Sequence, residues 1–148
     1  MTSLRTPAEA PSVGRATYSQ TFPCEPFAAE LGRDVVRDLL GVWHLDGLVD
    51  RAALVVTELI ANASRHTACP EIRLTIGRPS AGRLPVGVVD RDPGRLPILG
   101  RATDDDESGR GLLLIDAAAD RWGYDLHRSD GRTWGKEVWA ELCTGSAE

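Results

Sequence analysis

The sequence predicts an α+β fold, a two-layer sandwich in which helices cover one face of a mixed, mostly antiparallel sheet. Apolar side chains recur at helical spacing over residues 26–42 and 49–66. Polar and apolar side chains then alternate over 71–76, as in a half-buried strand. Near the C-terminus, Asp130-Gly131 separates two more strand-like segments, which predicts a hairpin. Helices set apart from the strands of one sheet are typical of the α+β class.

The first half of the chain predicts one strand and two helices. Residues 17–22 alternate loosely and stop at Pro23, as a short strand does. Pro26 stands in the first turn of the first helix, where helices favour proline. The segment 43–47 interrupts the helical pattern, and the second helix runs over 49–66.

The second half predicts a sheet with one inserted helix. Residues 80–83 read as a turn and 84–89 as the next strand. Residues 92–108 show no periodicity and contain an acidic run, which predicts a long loop, and such loops are often functional lids. The remaining segments are a helix over 109–121 and strands over 124–127 and 133–142.

Length and composition indicate a single soluble domain. The 148 residues suffice for one hydrophobic core, and we assign residues 17–143 to the domain, with tails at 1–16 and 144–148. The net charge of −5 argues against a nucleic-acid-binding protein, because no basic stripe is present to neutralise phosphates. The N-terminal residues lack the apolar run of a signal peptide or membrane span, so we expect a cytoplasmic protein without membrane contact. The three cysteines have no CxxC spacing and predict neither a disulfide framework nor a zinc site.

Glu58 and Asn62 form the first pair with chemical potential. They lie four residues apart on the second predicted helix, so they share a stripe at the edge of its apolar face. The amide oxygen can ligate a hard cation such as Mg²⁺, and the carboxylate can orient or deprotonate a hydroxyl. The alternative is a solvated helix edge that carries a Glu and an Asn.

Asp90 follows an apolar strand and precedes the turn Arg91-Asp92-Pro93-Gly94. A carboxylate at a strand end can project into a pocket and accept a hydrogen bond from an exocyclic amine, such as adenine N6. The alternative is an Asp that only caps the transition from strand to turn.

Gly109-Arg110-Gly111 opens the third predicted helix. Glycines allow backbone N–H groups to approach a phosphate closely at the positive end of a helix dipole. Ser108 is the expected N-cap, and Arg110 is the side chain expected to reach the phosphates. By itself, Gly-x-Gly also fits an ordinary turn from loop to helix.

In order and spacing, these three motifs resemble the N, G1 and G2 boxes of the GHKL superfamily of ATP-binding proteins. The stretch Thr57–His66 is similar to the N box of short actinobacterial members, the anti-sigma-factor serine/threonine kinases, and the resemblance covers residues 17–142. It implies the Bergerat ATP-binding fold, with ATP and Mg²⁺ as ligands.

The resemblance also implies a role for each motif residue. Asn62 would coordinate the Mg²⁺ that bridges the phosphates, Glu58 would be the catalytic base, and Asp90 would read the adenine amino group. The other implied roles are phosphate binding by Gly109, Arg110 and Gly111, a G1-box glycine at Gly94, and an ATP lid over 94–108.

The sequence departs from the family pattern in two places. The G1 box is D-x-G-x-G, and Asp92 replaces its first glycine, which restricts the turn and bears on the adenine pocket. The acidic run 104–107 precedes the phosphate-binding turn, where it would repel a triphosphate unless it faces solvent, an arginine or a partner. Lys136, the only lysine, could in principle reach a phosphate. It falls in a predicted strand, however, and we interpret it as an ordinary strand residue.

Length distinguishes the branches of this superfamily. Gyrase B relatives and histidine kinases need further domains, so a chain of this length resembles the stand-alone regulators. We therefore predict a serine/threonine kinase that phosphorylates a STAS-type anti-anti-sigma protein and sequesters a sigma factor. A homodimer is typical of that branch. The alternatives are an ATP-sensing module that binds a partner without phosphotransfer, and a degenerate member that no longer binds nucleotide.

Overall fold

The fold follows the predicted order of strands and helices. A computed structural model describes residues 17–66, 71–77, 82–94 and 107–143. Its elements are β1 (Thr17–Pro23), α1 (Ala28–Val42), a single 3-10 turn (Asp46–Leu48), α2 (Val49–His66), β2 (Glu71–Gly77), β3 (Arg83–Asp90), α3 (Glu107–Ala118), β4 (Arg121–Ser129) and β5 (Arg132–Cys143).

The strands form one five-stranded sheet in the order β1-β2-β3-β5-β4. All neighbouring pairs are antiparallel, so the described sheet has no parallel pair where we expected a mixed one. The hairpin between β4 and β5 turns at Asp130-Gly131, with φ of 52° and 77°, as a type I′ turn requires. Because β5 runs antiparallel to β3, Lys136 near the start of β5 lies opposite Asp90 at the end of β3.

The hydrophobic core lies between the sheet and the three helices. Alternate residues of β3 and β5 face the helices, and α2 packs against α1, α3, β2, β3 and β5. A Cβ atom on Gly32 of α1 would be 2.5 Å from Cδ1 of Ile60 on α2, so this glycine allows the two helices to approach closely. The strand residues in the core include Leu84, Val86, Val88, Val138, Ala140 and Leu142.

The opposite face of the sheet is largely polar, apart from the buried side chains of Val89 and Trp139. Trp139 is 5% exposed and has Gly87 and Gly123 as its neighbours on β3 and β4. Both glycines are buried. The Arg121 guanidinium carbon lies 5.5 Å from the centroid of the Trp139 ring, and Arg121 also donates a 3.0 Å hydrogen bond to Glu141. The indole is therefore covered without a second layer of helices.

The largest difference from the prediction is at the end of the third helix. We expected a helix over 109–121, whereas α3 spans Glu107–Ala118 and β4 begins at Arg121. Trp122 is in the core, and its Nε1 donates a 2.8 Å hydrogen bond to Asp116. The alanines that precede it fit a helix equally well, so the local pattern did not mark the boundary. The predicted turn at 80–83 and the predicted loop over 92–108 lie largely outside the described residues.

Candidate functional site

Helix α2 carries the first predicted pair. Val55, Val56, Leu59 and Ile60 are buried, which fixes the rotation of the helix about its axis. Glu58 and Asn62 are therefore at the edge of the buried face, and both side chains are half-buried. A carboxylate and a carboxamide one helical turn apart are placed to act on the same ligand.

The start of α3 lies against Glu58. A Cβ atom on Gly111 would be 2.9 Å from Oε1 of Glu58, so the carboxylate occupies the space that any side chain at 111 would need. Gly111 itself is buried, and α2 packs against α3. The structure thus brings the predicted base and the predicted phosphate-binding turn together.

The predicted phosphate-binding residues lie inside the first turns of α3. The helix begins at Glu107, so Ser108 is a helical residue and the prediction that it is the N-cap was wrong. The backbone N–H groups in the first turn of an α-helix have no carbonyl partner within the helix. Of the predicted phosphate-binding residues, Gly109 has its N–H among these unpartnered groups, at the positive end of the dipole, which suits a phosphate. The N–H of Arg110 is the first that donates within the helix, so the phosphate-binding role expected for Arg110 stays a prediction.

The end of β3 carries a buried salt bridge. Asp90 is 2% exposed and Lys136 is 4% exposed, and they face each other in the β3–β5 register. Nζ of Lys136 donates hydrogen bonds to Oδ1 and Oδ2 of Asp90, each at 3.0 Å, and to the Asp92 carbonyl oxygen at 2.8 Å. The backbone N–H of Asp92 donates to Oδ1 of Asp90 at 2.8 Å. Asp90 therefore organises the turn that follows β3.

Close backbone contact makes Gly135 necessary beside this salt bridge. A Cβ atom at 135 would be 2.5 Å from the Asp90 carbonyl oxygen and 3.5 Å from Cα of Arg91. The clash would be with backbone, so it would not be relieved by a change of rotamer. This contact holds the start of β5 against the end of β3 and sets the position of Lys136.

Neither Asp92 nor Gly94, the two G1-box positions that the family fills with glycine, has a positive φ. The turn therefore does not require glycine at residue 92, and the Asp92 backbone supplies both a donor and an acceptor to the salt bridge. Gly94 is exposed, and a Cβ atom there would have only Oδ1 of Asp92 nearby, at 3.9 Å. The roles in ligand binding expected for Asp90 and Gly94 stay predictions.

Our interpretation of Lys136 as an ordinary strand residue missed the salt bridge. One signal was available in the sequence: Lys136 shares its strand face with Val138, Ala140 and Leu142. A lone cation on the inward face of a strand needs a buried partner. Periodicity could not name Asp90 as that partner, because β5 pairs with β3 only in the folded sheet.

No cluster of three or more His, Cys, Asp or Glu side chains able to hold a metal occurs among the described residues. A Mg²⁺ ion bound mainly through phosphate oxygens needs only one or two protein ligands. The half-buried amide of Asn62, one turn from Glu58, fits that limited role. Within the described ranges, no helix is both long and apolar enough to cross a membrane.

Comparison with known proteins agrees with this geometry. Residues 22–141 match the model of the histidine kinase-like ATPase domain. The chain is also 53% identical over 62 residues to an uncharacterised protein of Streptomyces coelicolor. That alignment covers 41% of this chain and 56% of the relative, so the chain spans little more than half the length of the curated protein it matches.

Proposed function

The chain belongs to the family of histidine kinase-like ATPase domains, and from this premise we propose that it is an ATP-dependent serine/threonine protein kinase of the anti-sigma-factor type. Family membership implies ATP binding. In our proposal the phosphoryl acceptor is a Ser or Thr hydroxyl on a STAS-type anti-anti-sigma protein. A sigma factor is the second partner, which the chain releases or retains according to the state of the STAS protein.

The observation that carries the proposal is the contact between Glu58 and Gly111. In-line phosphoryl transfer needs a group that accepts the proton of the attacking hydroxyl, close to the groups that hold the phosphates. The Glu58 carboxylate lies against the backbone of Gly111, in the helix whose first-turn N–H groups suit the phosphates. A base and a phosphate cradle in direct contact support a transfer reaction rather than binding alone.

The proposed reaction moves one phosphoryl group. The oxygen of the partner's hydroxyl forms a bond to the γ-phosphorus, the bond from that phosphorus to the β–γ bridging oxygen breaks, and ADP leaves. Glu58 accepts the hydroxyl proton. The N–H group of Gly109, in the first turn of α3, stabilises charge on the phosphate oxygens. Asn62 would hold Mg²⁺, which supplies further charge neutralisation when it is bound.

A partner-binding module without phosphotransfer is the second candidate, and the surface of α3 favours it. Leu113 and Leu114 are 50% and 43% exposed on this helix. Two adjacent exposed leucines next to the nucleotide-binding turn suit contact with another protein, although isolated exposed apolar residues are common. Both candidates share the ATP site and differ only in whether Glu58 has a chemical role.

The test is phosphotransfer to purified STAS proteins from the same genome, with Mg²⁺ and ATP. We expect one added phosphoryl group by intact-mass spectrometry and its loss with Glu58→Gln. Glu30→Gln is the matched control, because it makes the same change on an exposed helical position. Wild-type protein that binds ATP and a STAS partner without transferring phosphate would favour the binding module. A calorimetric titration with no ATP binding at all would exclude both candidates.

A further inference from the structure

A cation and an anion are buried together at the end of β3, where family members are expected to read a base. The side chains of Lys136 and Asp90 are 5% and 1% exposed. Removing two charges from water costs free energy, and apolar residues often hold strands together equally well or better. An arrangement with this cost points to a use beyond stability.

The hydrogen bonds of the pair leave one acceptor site. A carboxylate offers about four lone-pair sites. Among the described residues, Oδ1 of Asp90 accepts from Lys136 and from the Asp92 N–H, and Oδ2 accepts from Lys136 alone. The site that remains is on Oδ2. It can accept one N–H from a ligand without breaking the salt bridge.

The ammonium group of Lys136 can supply a donor beside that acceptor. Its three N–H groups serve the two Asp90 oxygens and the Asp92 carbonyl oxygen. The Asp92 carbonyl belongs to the turn after β3, whose residues Arg91 and Gly94 are exposed. It is the acceptor that Lys136 can give up most readily, because a displaced backbone carbonyl at an exposed turn can bond to water.

We propose that Lys136 is a base-recognition residue, which donates a hydrogen bond to N1 of adenine while Oδ2 of Asp90 accepts one from the adenine N6 amino group. The inference rests on the proposed ATP site and adds a residue that selects the base. Adenine presents a donor, N6–H, next to an acceptor, N1. Asp90 and Lys136 present the complementary acceptor and donor side by side.

The same pair rejects guanine. In a purine held in the same orientation by its phosphates, guanine places the acceptor O6 where adenine has N6–H₂. It also places the donor N1–H where adenine has N1. The carboxylate would then face an oxygen and the ammonium would face an N–H, so both contacts become repulsive. An Asp accompanied by water lacks this second constraint, because water can act as donor or acceptor.

The experiment compares ATP with 1-deaza-ATP, in which N1 is replaced by C–H and the N6 amino group is retained. We expect 1-deaza-ATP to bind the wild-type chain roughly ten- to hundred-fold more weakly, as for the loss of a hydrogen bond to a charged donor. Lys136→Met is expected to reduce this ratio to about one. Arg91→Met is the control, because it removes an exposed cation next to Asp90 and should keep the wild-type ratio.

Each outcome decides the matter. Equal binding of ATP and 1-deaza-ATP by the wild-type chain overturns the role of Lys136 and leaves the ATP site standing. A Lys136→Met variant that weakens both nucleotides equally shows a structural role only. If Lys136→Met does not fold, the wild-type ratio decides alone, supported by weaker binding of GTP than of ATP. Wild-type protein that binds no nucleotide overturns this inference together with the proposed function.

Discussion

Oε1 of Glu58 lies 2.9 Å from the position that the Cβ atom of any side chain at residue 111 would occupy, which is too close for an undisturbed contact. Two segments that are far apart in the chain therefore meet at the point where we place phosphoryl transfer. The neighbour is the end of a flexible side chain, so a methyl group at 111 would displace the carboxylate at small cost in stability.

Gly111→Ala should separate activity from stability. We expect turnover to fall roughly ten- to hundred-fold, because a displacement of about 1 Å at a catalytic group has effects of this size. The melting temperature should stay constant or rise, since Ala is favoured over Gly in a helix by about 1 kcal/mol. Gly41→Ala, in α1 with no atom within 4 Å of its Cβ position, should stabilise without changing turnover. Unchanged turnover in Gly111→Ala would contradict the role of Glu58.

The Asp90–Lys136 salt bridge should show strong coupling in a double-mutant cycle. Lys136→Met leaves a buried carboxylate without its cation, and we expect a loss of about 3–5 kcal/mol in the free energy of unfolding. Combining it with Asp90→Asn should recover most of that loss. Arg37→Met removes one partner of an exposed salt bridge with Asp34 and should change stability by less than about 1 kcal/mol. The measurement is urea unfolding of the wild-type chain, the two single variants, their double variant and Arg37→Met. Additive effects at Asp90 and Lys136 would mean that the two side chains do not interact.

Two tryptophans provide a matched test of a buried indole N–H. Nε1 of Trp139 is buried with no hydrogen-bond partner among the described residues, whereas Nε1 of Trp122 donates to Asp116 at 2.8 Å. Replacement by Phe removes the same atoms at both sites. Trp122→Phe should cost about 1.5 kcal/mol more than Trp139→Phe, because only the first loses a hydrogen bond to a charged acceptor. Thermal or urea unfolding measures the loss of stability in each variant. Equal losses in the free energy of unfolding would contradict the prediction, because they would mean that the indole N–H of Trp139 also donates a hydrogen bond.

His127 should make stability depend on pH. Its Nε2 lies 3.7 Å from Oε1 of Glu137, and the Glu137 carboxylate, helped by Asp125 and opposed by partial burial and Arg73, raises the pKa of His127 above its ordinary 6.5. The protonated form is therefore favoured in the folded state. The stabilisation is fully present below about pH 6.5 and is lost as pH rises through the higher folded-state pKa.

We expect this contribution to be modest, about 0.2–1 kcal/mol, because the pair is partly exposed. The measurement is urea unfolding of the wild-type chain and His127→Gln between about pH 5.5 and 8.5. The difference between them should shrink toward high pH. The control repeats this comparison in chains that carry Glu137→Gln, which removes the main cause of the raised His127 pKa. In that background the effect of His127→Gln on the free energy of unfolding should hardly change with pH.

The elements of the fold were predictable because they depend on local patterns. Helix α2 begins and ends as the apolar spacing of 49–66 predicted, and Asp130-Gly131 adopts the positive φ values that its composition predicted. The end of α3 was not predictable, because the alanines before Trp122 fit a helix as well as they fit a turn. Trp122 lies in a strand because its side chain packs in the core, and that packing exists only in the folded protein.

By itself, the sequence determined the order of the helices and strands, which face of each is apolar, and which polar residues interrupt the pattern. These properties follow from periodicity and turn chemistry over a few residues. Only the tertiary structure decided that Glu58 meets Gly111, and that Lys136 meets Asp90, 46 residues earlier in the chain. Both contacts depend on packing α3 on α2 and on placing β5 beside β3. Local periodicity specifies the face on which a side chain lies, but it does not specify the neighbour it will have there.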